Sequence, residues 1–133
     1  MGSSHPYLFK WVEKDRTHSN QYNSQNVVVM RYAELLLMLA EISNELGNGQ
    51  EMTYLMPVLS RAGLSPRAEY SQGQSSFRDA IMEEYQFELI GEGEDSFHNK
   101  RRGYQYFLDH TVLPHNNSFG KKVLIVSQKY QSN

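Results

Sequence analysis

The stretch from Val27 to Leu46 constrains this chain most, because it carries a helical pattern that is apolar on nearly every side. Val28, Tyr32, Leu35, Leu36, Leu39, Ile42 and Leu46 recur with the 3.6-residue period of an α-helix. The other side carries Ala33, Leu37 and Ala40, and only Arg31, Glu34, Glu41 and Glu45 interrupt the apolar surface. Fully burying one leucine is worth roughly 1.5–3 kcal/mol. A helix of this kind therefore expects neighbours on several sides. Asn26 is placed to cap its first turn. Gly47-Asn48-Gly49 ends it with residues that tolerate the left-handed conformation.

A second helical pattern runs from Gln50 to Ala62, with Met52, Leu55, Met56 and Leu59 on one face. Pro57 predicts a kink or a restart, because it lacks an N–H and its ring crowds the preceding turn. The Gly-Asn-Gly link predicts that the two helices lie antiparallel. Residues 65–74 read as a loop. Ser76-Phe77-Arg78-Asp79 fits a capping box opening a third helix, whose apolar positions include Phe77, Ala80, Ile81, Tyr85 and Leu89. Gly91 and Gly93 end it. Phe97, Tyr104, Phe107 and Leu108 predict a fourth, shorter helical segment before Pro114. The fold class is thus all-α, with irregular loops and a short C-terminal strand at Lys122–Val126 (KVLIV). Met1–His5 reads as a leader outside the fold, and residues 12–26 as a polar linker.

Composition narrows the function. The 133 residues carry a net charge of −2, which argues against a nucleic-acid or anionic-membrane binder. The absence of cysteine excludes disulfides, thiolate metal sites and cysteine nucleophiles. Only 39% of residues are hydrophobic, while Ser, Asn and Gln together make 32 residues. The core is lean for a chain standing alone.

Several constellations bear on chemistry. Glu84, Glu88 and Glu92 recur every four residues and form an acidic stripe, which can serve acid–base catalysis or a hard cation. The plainer reading is a solvated stripe, or one paired with Lys100, Arg101 and Arg102. The histidines lack the spacing of a metal site, and no nucleophile signature is present, so no catalytic residue and no cofactor is assigned. Arg31, Glu34 and Glu41 sit on the apolar helix and read as structural ion pairs. Trp11, Tyr104 and Tyr106 are the weak candidates for ligand binding, since flat aromatic faces beside amides and guanidinium groups suit sugar rings.

Arg31-Tyr32-Ala33-Glu34-Leu35-Leu36-Leu37-Met38-Leu39-Ala40-Glu41 resembles a motif of the SusD/RagB family of Bacteroidetes. Ser60-Arg61-Ala62-Gly63-Leu64 is similar to that family's R-A-G-L element, and Ile81 through Gly93 to its I-x-x-E-R-x-x-E-L-x-F-E-G block. Arg101-Arg102-Gly103 stands where the family carries an aspartate-leucine-arginine-arginine stretch. Tyr85 replaces the usual arginine, and Asn99-Lys100 the aspartate-leucine pair.

The resemblance implies the C-terminal portion of a tetratricopeptide-like helical scaffold. It divides the chain into a leader and linker (1–26), a helical domain (27–108) and an irregular tail (109–133). It further implies a surface-exposed lipoprotein of the outer membrane, not an enzyme, that captures glycans for a SusC-type TonB-dependent transporter. Membrane contact would run only through an upstream lipid anchor. The other reading is a free-standing helical-repeat module for protein partners. The unmatched apolar surface predicts self-association of the isolated chain.

Overall fold

The computed structural model describes residues 28–118, together with Lys10. All regular structure among them is helical, as the periodicity predicts, and no strand occurs among the described residues. The KVLIV segment lies outside them. They fall in two compact units, one ending at Glu84 and the other beginning at Tyr85.

In the first unit, helix α1 (Tyr32–Leu46) packs against helix α2 (Glu51–Arg61), the antiparallel pair that the short link predicts. α1 starts five residues later than its apolar pattern. Its N-cap is Arg31 in extended backbone, not Asn26, and Arg31 makes no side-chain capping bond. The β-branched Val28 and Val29, which lose side-chain freedom in a helix, lie in the non-helical stretch before it. Gly47 closes α1 with φ 62°, in the left-handed region. Its N–H donates to the Asn44 carbonyl, and the Asn48 N–H donates to that of Ser43. This paired closure satisfies two carbonyls that the helix leaves open. Gly63 ends α2 in the same way, with the Leu64 N–H donating to the Leu59 carbonyl at 2.9 Å.

Pro57 neither breaks nor restarts α2, which runs through it. Pro57 and Thr53, the residue whose carbonyl loses its donor, are both exposed. Solvent can take the place of the missing bond.

The two sides of α1 have unequal fates. Leu36, Leu37 and Ala40 are buried with Ser43 and Asn44, against Leu55, Val58 and Leu59 of the same unit. Tyr32, Leu35, Ile42 and Leu46 are exposed, Tyr32 by 74% and Leu46 by 71%. Of the stripe that sets the helical period, Leu36 is buried and Leu39 half-buried, while its other members face solvent.

A 3-10 turn (Ala68–Ser71) interrupts the segment read as loop. Helix α3 (Gln74–Glu88) follows and opens at Gln74, so Ser76 is inside the helix. No capping box forms. The Ser76 hydroxyl donates instead to the Glu69 carbonyl at 2.8 Å, tying the turn to the helix.

The second unit holds short elements: α4 (Asp95–Arg101), α5 (Tyr104–Phe107), a π-turn (Leu108–Val112) and α6 (Leu113–Ser118). Helical backbone continues through 108–118, ten residues into the segment read as irregular. Pro114 is the second residue of α6, two past the π-turn, whose wider winding makes room for a residue that cannot donate to the preceding turn. The buried Tyr85 stacks on His98, with ring centroids 4.1 Å apart.

Candidate functional site

Arg67 and Tyr70 lie one helical turn apart, which brings both side chains to the same face of the 3-10 turn. The Arg67 guanidinium donates to the Tyr70 hydroxyl at 3.1 Å, the Glu83 carboxylate at 2.6 Å, the Ala80 carbonyl at 3.2 Å and Glu84 at 3.1 Å. The Tyr70 hydroxyl donates in turn to Glu84. Glu84 is therefore neither a solvated member of an acidic stripe nor a partner of the basic triplet. It is buried, and its cation is Arg67. Glu88 and Glu92 are half-buried.

The network fixes the Tyr70 ring, which lies 5.8 Å from that of Phe77. Burial, followed by the hydrogen bond to Glu84, pushes the Tyr70 phenol up to about 12 from its ordinary value of 10. The folded protein resists ionising it more than the unfolded chain does. Stability from this group is full below pH 10 and is lost as pH rises from about 10 to about 12. Following phenolate absorbance, we expect a tyrosine that titrates near 12 and disappears in Tyr70→Phe. A Tyr70→Phe protein that loses amplitude near pH 10 and keeps the step near 12 would refute the assignment.

Beside this network is a cavity of about 450 Å³. The end of α1 contributes Asn44 and Gly47, and the link into α2 contributes Gly49 and Glu51. Tyr70 and Ser71 come from the 3-10 turn, and Gly73, Gln74 and Phe77 from the start of α3. Asn44 and Gln74 clasp each other across the wall. Asn44 Nδ2 donates to the Gln74 carbonyl at 3.1 Å and to Glu45 Oε1 at 3.4 Å. Gln74 Nε2 donates to the Asn44 carbonyl at 2.7 Å and that of Glu45 at 3.3 Å. A bidentate pair, Arg78 with Glu45 at 2.5 and 2.6 Å, lies next to the clasp. Glu45 holds the Arg78 guanidinium above its ordinary range. Glu51 Oε2 is shut off from solvent and has no hydrogen-bond partner among the described residues.

Arg31 and Tyr32 line a second, smaller cavity of about 370 Å³ with Leu36, Pro57, Val58 and Arg61. Glu34 is buried and Glu41 half-buried, and none of Arg31, Glu34 and Glu41 stands without a partner.

The aromatic candidates divide. Trp11 lies outside the described residues. Tyr104 is exposed at the head of α5. Tyr106 is half-buried and stacks on His110, with centroids 3.8 Å apart and planes 9° apart. Arg102 stands 5.1 Å from the same ring. Lys100 and Arg101 also lie over aromatic rings, Lys100 at 5.1 Å from Phe107 and Arg101 at 5.6 Å from Tyr85. The basic triplet thus braces aromatic rings.

Neither the cavity nor the Arg67 network was singled out by the sequence. Asn44, Glu51, Arg67, Tyr70 and Gln74 form no recognisable motif, because they meet only when the loop folds back on the helix ends. The one available signal was a polar Asn44 at a helical position that turns inward.

Comparison with known proteins places these residues in context. The family described as SusD matches residues 3–123. SusD-like protein P25 of Formosa agariphila is 37% identical over 91 residues, which cover 65% of this chain and 17% of that protein. No solved structure matches the chain.

Proposed function

The chain belongs to the SusD family, and on that premise we propose that it forms part of a non-catalytic protein that captures glycans at the cell surface for nutrient uptake. The family match carries this reading. The finer reading is the one the sequence motifs imply: a lipoprotein of the outer membrane, anchored by lipid, that hands oligosaccharide to a SusC-type TonB-dependent transporter. No helix among the described residues is long and apolar enough to cross a membrane.

Two observations, one from comparison and one from the structure, support a scaffold role for the helical part, residues 27–108. The matched segment spans only 17% of the curated relative, so most of such a protein lies outside it. The exposed Tyr32, Leu35, Ile42 and Leu46 leave α1 with an apolar face that further helices of a scaffold would cover. In the isolated chain the same face is the site for self-association. Arg31, Glu34 and Glu41 serve as structural ion pairs in this reading, and Tyr104 is the exposed aromatic available to a ligand.

Titration calorimetry of the full-length protein against a panel of neutral and acidic polysaccharides tests the proposal. We expect saturable heat with at least one glycan, and copurification of a TonB-dependent transporter. A protein that binds no glycan and brings down no transporter would leave only the reading as a helical-repeat interaction module.

A further inference from the structure

The polar groups around the larger cavity are unevenly spent. Asn44 and Gln74 each use both hydrogens of their amide NH₂ groups on oxygens of the protein. The assignment of those amides is secure, because flipping either would set oxygen against oxygen. Ser71 donates its proton to the Ala68 carbonyl at 2.9 Å, and Tyr70 donates its own to Glu84. Every side-chain donor on these walls is therefore used within the protein. Among the side chains, what remains is acceptor capacity: the amide oxygens of Asn44 and Gln74, the Ser71 lone pairs and the Glu51 carboxylate.

We propose that this cavity is a subsite for one uncharged sugar unit, held through the hydrogen-bond donors of its hydroxyls. The proposal rests on the glycan-binding reading and names the groups by which this part of the chain would touch the glycan. A volume of about 450 Å³ lies within the range of small-molecule sites, roughly 300–1,000 Å³. It far exceeds the space of a bare cation, which wants about six to eight oxygens at close range. The walls offer one carboxylate and no cationic side chain, so an anionic ligand is disfavoured. Tyr70 and Phe77 contribute the apolar part of the wall, and the Arg67 network holds Tyr70 in place before any ligand arrives.

The glycines supply the readout. Amide shifts of Gly47, Gly49 and Gly73 in the 133-residue chain are followed while glucose, galactose, mannose, xylose, glucuronate or calcium chloride is added. We expect saturable shifts at these three amides with at least one neutral sugar, and weaker binding of glucuronate than of glucose. Ser71→Trp fills the cavity mouth and abolishes the shifts while the rest of the spectrum stays folded. Glu51→Gln weakens binding by about tenfold or more, the loss expected when a charged acceptor is replaced.

The proposal is overturned if no neutral sugar moves these amides, if glucuronate binds as tightly as glucose, or if calcium alone reproduces the shifts. Calorimetry of the full-length protein separates the two levels. Glycan binding that Ser71→Trp leaves unchanged removes the subsite and keeps the glycan reading. No glycan binding to the unaltered full-length protein removes both.

Discussion

Phe77→Ala is expected to lower the free energy of unfolding by about 3–5 kcal/mol, the range for removing a buried phenylalanine ring. Phe77 is 1% exposed and packs against the Tyr70 ring at 5.8 Å. It is an anchor of α3 in the first unit and also part of the cavity wall. Its loss leaves a void beside a ring that the Arg67 network holds in position, so collapse around the void is restricted. Urea unfolding should show a lower midpoint with an unchanged slope, the mark of lost stability without a change in compactness. Phe77→Leu keeps more of the volume and should cost less. A loss below about 1 kcal/mol for Phe77→Ala would mean that the site relaxes freely.

Arg67→Met is expected to cost about 2–3 kcal/mol. Removing one partner of a buried ion pair costs roughly 3–5 kcal/mol, because the remaining charge is left without compensation. Here the Arg67 side chain is 35% exposed, and solvent screening reduces the figure. The Glu84 side chain is only 8% exposed, so it cannot simply turn to water. Arg67→Met with Glu84→Gln should recover part of the loss, since the second change removes the stranded carboxylate. Additive losses in the two single variants and the double variant would show that Arg67 and Glu84 are not coupled. Because Arg67 lowers the Tyr70 phenol against the effects of burial and Glu84, its removal should also move that titration higher.

The helices were legible for local reasons. Apolar spacing and terminal glycines require only near neighbours in the chain, so α1 and α2 could be read with their C-terminal closures at Gly47 and Gly63. Their starts were less legible. Asn26 looked like a cap, but α1 begins only at Tyr32. Ser76 looked like a cap, but its hydroxyl found the Glu69 carbonyl from inside α3. For Ser76, a plausible local capping bond lost to another that the residue types alone do not rank.

The family was legible as well, because its motifs are ordered along the chain and lie on these helices. The candidate site was not. Tyr104 and Tyr106 are aromatic in the same way on paper, yet one is exposed while the other is stacked on His110. Exposure of a ring depends on which residues come to lie beside it.

By itself, then, the sequence determined an all-α chain of the SusD family, with a helical pair whose first member is apolar nearly all round. Periodicity and motif order are properties of the chain alone, and they survive any packing. Tertiary structure decided which side of α1 is buried, that Glu84 pairs with Arg67, and that Asn44 and Gln74 turn their donors into the protein. Those outcomes rest on contacts between residues 13 to 30 positions apart. Such contacts form only when the chain folds back, and a local pattern carries no record of them.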